Sequence, residues 1–109
     1  MQISATDKSY VVIVHIAVLR TDNARAIELA SKNFEIFERQ PGFLGGALHI
    51  AKDGAALFQY LQWRSEADHH NCMQSADFQS KPAQDFMALV QEGAIAIDPI
   101  PVDALRVSD

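Results

Sequence analysis

The feature that most constrains this chain lies between Phe43 and Trp63. Two runs of strand-forming residues, Phe43–Ala51 and Ala56–Trp63, flank Lys52-Asp53-Gly54. Runs of that length around an Asp-Gly pair form a β-hairpin. An isolated hairpin is only marginally stable in water, so further strands or helices must cover it. Tyr10–Leu19 supplies one strand. It reads Tyr-Val-Val-Ile-Val-His-Ile-Ala-Val-Leu and is apolar at both parities, which suits a strand buried on both faces.

Helical periodicity fills the gaps. Thr21 and Asp22 are N-cap types, and Ile27, Ala30, Phe34 and Phe37 recur at helical spacing. Pro41-Gly42 ends that helix, because proline breaks the hydrogen-bond ladder and glycine tolerates the left-handed turn. Ser65 can cap a second helix running to about Ser75, with Asp68 three residues on as a short capping partner. Asp77–Lys81 reads as a loop or short turn. Pro82 suits the first turn of a third helix over Pro82–Glu92, stopped by Gly93. A last strand starts at Ala94–Ile97, and Pro99 and Pro101 mark it as an edge or bent strand.

The order β-α-β-β-α-(α)-β is that of an α+β, ferredoxin-like fold: an antiparallel sheet with helices on one face. One domain is expected over residues 10–102, between a frayed N-terminus (1–9) and a tail (103–109). In the hairpin, Leu48, Ile50, Phe58 and Tyr60 are expected on one face, and Leu57, Leu61 and Trp63 on the other. Helices cover only one face of a sheet, so the apolar second face predicts a homodimer whose two sheets close into a dimeric α+β barrel.

Of the 109 residues, 49% are hydrophobic, and the formal net charge is −5. Basic residues are scattered, which argues against nucleic acid or an anionic membrane as partner. Tyr10–Leu19 is too short to span a bilayer as a helix. It is rich in β-branched residues and lacks a following small-x-small cleavage pattern, so a cytoplasmic protein is expected. The single cysteine, Cys72, excludes a disulfide framework and reads as a small buried helix residue.

Gln40-Pro41-Gly42-Phe43-Leu44, followed by Phe58-Gln59-Tyr60-Leu61-Gln62-Trp63-Arg64-Ser65-Glu66, resembles the antibiotic-biosynthesis monooxygenase domain. The match is nearest to small cofactor-free oxygenases that turn aromatic polyketide phenols into quinones. The resemblance implies a dimeric barrel with one apolar pocket per subunit, no cofactor and no metal. It implies a small aromatic substrate whose deprotonated form reduces O2 directly. The family tryptophan falls on Trp63. The polar residue four positions earlier, an Asn in the polyketide oxygenase, is Gln59. A hairpin histidine falls on His49, a tyrosine on the following helix is replaced by His69, and a family arginine has no clear equivalent.

These residues have chemistry of their own. Gln59, Leu61 and Trp63 share a strand face by the period-two rule. A two-residue Asp53-Gly54 turn would pair Lys52 with Ala55 and turn His49 away from Gln59. A three-residue Lys52-Asp53-Gly54 loop would pair Ala51 with Ala55 and bring His49 onto the Gln59–Trp63 face; this is the favoured reading. Gln59 can donate and accept hydrogen bonds. Trp63 offers a flat surface and one N–H. Imidazole accepts a phenolic proton near neutral pH, so His49 and His69 are the candidate bases. The candidate catalytic set is therefore Trp63, Gln59, His49 and His69. His70 is expected at the surface, and His15 as a satisfied core histidine. Adjacent His69-His70 lack the three- or four-residue spacing of a helical metal pair. Phe34, Phe37, Phe78, Phe86 and Met87 read as core or pocket wall.

The leading functional expectation is a cofactor-independent monooxygenase acting on an electron-rich phenol or quinol. The alternative is a non-catalytic or unassigned small-molecule-binding member of the same fold. An isomerase or ring-processing role is a further option, as is haem degradation. That last branch expects an Asn on the first strand and a His ten positions after the Trp, where this chain has His15 and Met73.

Overall fold

The computed structural model describes residues 9–108; the expected frayed N-terminus lies, apart from Ser9, outside the described residues, as does Asp109 of the expected tail. The elements are β1 (Tyr10–Val18), α1 (Asn23–Glu38), β2 (Phe43–Ile50), β3 (Ala56–Trp63), α2 (Glu66–Met73), a 3-10 turn (Asp77–Gln79), α3 (Lys81–Gln91) and β4 (Ile95–Val102). The sheet order is β2-β3-β1-β4, with every neighbouring pair antiparallel. This is the ferredoxin-like α+β arrangement.

Local chemistry sets the helix ends. Asp22 accepts a hydrogen bond from the Arg25 N–H (3.2 Å), and Ser65 from the Asp68 N–H (3.1 Å). Gly42 follows α1 at φ +84°, a conformation that costs any other residue energy. The Ser75 hydroxyl donates to the Cys72 carbonyl (2.8 Å) and accepts from the Phe78 N–H (3.3 Å), ending α2 and leading the chain into the 3-10 turn.

The core forms where β1 and β3 meet the helices. Val12, Val14, Ile16, Leu57, Leu61 and Trp63 pack beneath Ala26, Leu29, Ala30, Phe37 and Phe86. Each large side chain buried this way contributes about 1.5–3 kcal/mol. The buried stripe of α1 runs through Ala26, Leu29, Ala30, Asn33, Ile36 and Phe37. It is rotated from the expected stripe, leaving Ile27 and Phe34 at its half-buried margin.

The hairpin differs from the favoured reading. Ala51 N–H donates to the Ala56 carbonyl (2.9 Å), and Lys52–Ala55 form a four-residue connection closed by Gly54 N–H to Ala51 O (2.8 Å). An even-numbered connection gives the same pairing as a two-residue turn: His49 opposite Phe58, Leu48 opposite Gln59, Ile50 opposite Leu57. Leu48 and Ile50 thus share the helix side with Gln59, and His49 lies on the other side with Phe58 and Tyr60.

β4 is an edge strand, as its prolines require, but runs unbroken through both, with Pro99 opposite Val14 and Pro101 opposite Val12. Two residues apart, their nitrogens point the same way. The ladder to β1 survives because that way is the open edge. The same prolines blunt the edge against further strand pairing.

Among the described residues, no element covers the sheet face away from the helices. Ile13, Phe58 and Ile100 are large, exposed and apolar there. Among the described residues, no helix is long and apolar enough to cross a membrane.

Candidate active site

A cavity of about 440 Å³ lies between the sheet and the helices. Val12, Val14, Gln59, Leu61, Ile97 and Pro99 form its sheet side. Asn33 and Phe37 of α1, His69 and Met73 of α2, and Phe86 and Met87 of α3 form its helix side, with Phe78 and Val90 completing the wall. Its volume falls within the roughly 300–1,000 Å³ of ligand pockets. It is also about three times the ~150 Å³ that holds one benzene ring. Three polar side chains line it: Asn33, Gln59 and His69.

Gln59 sits mid-strand on β3, opposite Val14 on one side and Leu48 on the other. It is 5% exposed, and its Oε1 accepts no hydrogen bond. An unpaired buried acceptor costs about 1–3 kcal/mol. That cost is offset when a ligand donates to it.

His69 stands on the first turn of α2, set by the Ser65 cap. Its ring lies between those of Tyr10 and Trp63, with centroids 5.5 and 5.6 Å away. Burial first, and His70 second, hold its imidazole below the ordinary histidine range, against an opposing pull from Glu66. At neutral pH it is therefore uncharged and can accept a proton.

Trp63, a member of the expected catalytic set, does not line the cavity. It is wholly buried (0% exposed) and stands behind the cavity wall, not in it. Its ring meets Phe37, Phe43 and His69 edge-on or steeply tilted, at 6.2, 5.2 and 5.6 Å. Its Nε1–H finds no acceptor. Trp63 touches the site through His69 and Phe37.

His49 is exposed and on the opposite sheet face from the cavity. The four-residue connection puts it there, so it does not join the Gln59–His69 pair. His15 is on that outer face too, half-buried and stacked on Phe58 (5.2 Å), instead of in the core. His70 is exposed, as expected. Phe37, Phe78, Phe86 and Met87 line the cavity, whereas Phe34 packs on Phe43 at 6.2 Å.

Asn33 was not singled out from the sequence. It is 4% exposed, and its Nδ2 donates to the Leu29 carbonyl (2.8 Å) and the Pro82 carbonyl (3.2 Å). The signal was present: a polar residue one helical turn from Ala30 and Phe37 and two from Ala26, on a face that has to be buried.

The remaining chemistry is quieter. Burial pushes the Cys72 thiol up to about 11, so it is a poor nucleophile. A smaller cleft of about 240 Å³ beside Cys72 is lined by Gln40, Asp68 and Ser75 among others. Gln40 donates to Asp77, Asp68 accepts from Arg64, and Ser75 is held by backbone. Among the described residues, no three His, Cys, Asp or Glu side chains gather as a metal site.

Similar proteins share the fold. A stretch of 34 residues is 41% identical to tetracenomycin-F1 monooxygenase of Streptomyces glaucescens; it spans 31% of this chain and only 30% of that protein. SnoaB, a cofactor-independent oxygenase from Streptomyces nogalater, superposes with a TM-score of 0.74 at 16% identity, over 91% of this chain and 96% of that one. A putative antibiotic biosynthesis monooxygenase from Nitrosomonas europaea superposes with a TM-score of 0.71 at 18% identity, over 89% of this chain and 90% of that one. Likeness at such identity carries the fold. The family profile described as antibiotic biosynthesis monooxygenase matches residues 9–80, and the chain belongs to that family.

Proposed function

We propose that this protein is a monooxygenase that oxidises an electron-rich phenol or quinol with molecular oxygen, without a cofactor. The observation that carries the reading is one apolar cavity lined by both an uncharged imidazole, His69, and a carboxamide with an unpaired Oε1, Gln59. The names of the tetracenomycin-F1 monooxygenase and of SnoaB point the same way.

His69 takes the phenolic proton, and the Gln59 Nε2–H donates to the phenolate oxygen that is left, its Oε1 remaining to accept from the peroxide O–H formed later. The phenolate passes one electron to O2, and the radical pair recombines to form a carbon–oxygen bond at a ring carbon. The distal peroxide oxygen takes a proton, the O–O bond breaks, and water leaves. One oxygen atom stays in the product as a carbonyl. The two hydrogens the substrate loses, one from O–H and one from ring C–H, leave in the water. The hydrocarbon walls keep bulk water from the radical pair and peroxide.

The working form proposed is a homodimer. A two-fold partner laying its own outer sheet face on Ile13, Phe58 and Ile100 would cover apolar area that helices cannot reach. The proline-blunted β4 edge favours that face-to-face mode over sheet extension.

Oxygen uptake with an anthrone and hydroquinone panel, with no added cofactor, tests the reading. Uptake above the uncatalysed rate for at least one compound is expected. No uptake above that rate across the panel contradicts it for those substrates.

A further inference from the structure

Asn33 differs in kind from the other two polar residues of the cavity. Both hydrogens of its amide nitrogen are used: one on Leu29 O in its own helix (2.8 Å) and one on Pro82 O at the start of α3 (3.2 Å). Two carbonyls can only accept, so the orientation of the amide is fixed by its partners. What remains is one acceptor, Oδ1, on a side chain that lines an otherwise apolar stretch of wall. The pair of bonds locks the rotamer, so Oδ1 loses little entropy when a ligand meets it. A clamp between two helices needs only the nitrogen, and an apolar wall would need neither atom.

Position separates Asn33 from the proposed proton-transfer pair. Gln59 is on β3 and His69 on α2, whereas Asn33 comes from α1, beside the first turn of α3. The cavity has room for about three fused rings, judged against the ~150 Å³ that holds benzene. A ligand of that size reaches more than one wall.

We propose that Asn33 is a specificity residue: its Oδ1 accepts a hydrogen bond from a second hydroxyl of the substrate, remote from the reacting one. The inference rests on the monooxygenase reading only in taking the occupant to be a phenol. A site with a preset acceptor rejects an analogue lacking the donor, because the acceptor is then left desolvated and unpaired.

The test uses fully oxidised ligands that consume no oxygen: 2-hydroxyanthraquinone, its 2,6- and 2,7-dihydroxy relatives, and the methyl ethers in which the second hydroxyl is blocked. Binding is measured by calorimetry to the wild-type protein, Asn33→Leu and Asn33→Ala. In the wild type, at least one dihydroxy isomer binds about 3- to 10-fold tighter than both the monohydroxy compound and its own methyl ether, the range expected for one net hydrogen bond. In either variant that folds, the ratio falls to about one, whatever the common change in affinity that loss of the Leu29–Pro82 clamp brings to all the ligands. If no isomer gains over its methyl ether, or if the gain persists in a folded variant, the proposal is overturned. A variant that weakens all ligands equally also overturns it, because that is the behaviour of a clamp alone. The outcome is separable from the oxygenase reading. Discrimination without oxygen uptake leaves Asn33's role standing and sinks the oxygenase, and uptake without discrimination does the reverse.

Discussion

The His69 imidazole rests against the Trp63 indole at a centroid distance of 5.6 Å and an interplanar angle of 65°. Only the first of these two residues reaches the cavity. The tryptophan that carries the family resemblance thus backs the residue proposed as the base. Trp63→Phe should keep the fold and lower kcat more than it raises KM, because the imidazole loses part of its backing. Trp63→Ala should cost about 3–5 kcal/mol in urea unfolding, the usual range for emptying a large core site.

His69 titrates in a direction that can be checked twice. Burial lowers its pKa, so kcat/KM should rise with pH below the ordinary histidine value of 6.5 and be flat at neutrality. The variant His69→Phe should lose that limb together with most of its activity. The folded protein binds fewer protons than the unfolded chain just below pH 6.5. The wild type should therefore lose stability relative to His69→Phe as pH falls through that range. Chemical denaturation at several pH values measures this.

Gln59 should show opposite effects on stability and function. Its unpaired Oε1 is a cost in the unliganded protein. Gln59→Leu should be as stable as the wild type or more so, by up to about 1–3 kcal/mol, while oxygen uptake falls. A core glutamine with no role in binding would leave turnover unchanged.

Gly42 holds the junction between α1 and β2. A Cβ there would clash with the Asp68 side chain, at φ +84°. Asp68 cannot simply move away. It receives two hydrogen bonds from Arg64, at 2.8 and 3.0 Å, and caps α2 with Ser65. Those partners, Arg64 first, hold its carboxyl below the usual range. Gly42→Ala should destabilise by more than about 1 kcal/mol, read as a shift in the urea midpoint.

The outer sheet face gives a test of assembly. Light scattering at micromolar concentration should report a dimer. Phe58→Asp, on a side chain that is exposed in the single chain, should give a folded monomer. A wild-type monomer at that concentration would refute the homodimer proposal.

The sequence announced its elements more clearly than its site. Strands β1 to β3, the Ser65 cap and the order of elements follow from local rules that act over a few residues. The face of His49 did not, because it depends on whether the connection after Ala51 holds an odd or even number of residues. One residue of difference moves every side chain of β2 to the other face. Asn33 was hidden by a stripe indexed on Ile27 and Phe34, when the packed face of α1 lies about one position around. The cavity depends on how α1, α2 and α3 sit over the sheet, and no local pattern encodes that.

The central claim is that O2 itself is the oxidant and that one of its atoms enters the substrate. Turnover under 18O2, with purified protein, a chelator and no added cofactor, tests this most directly with the phenol that gives the fastest uptake. One 18O atom per product molecule is expected, the second appearing in water, with incorporation much reduced for Gln59→Leu and His69→Phe. A product without 18O, or labelling that is unchanged in both variants, would contradict it.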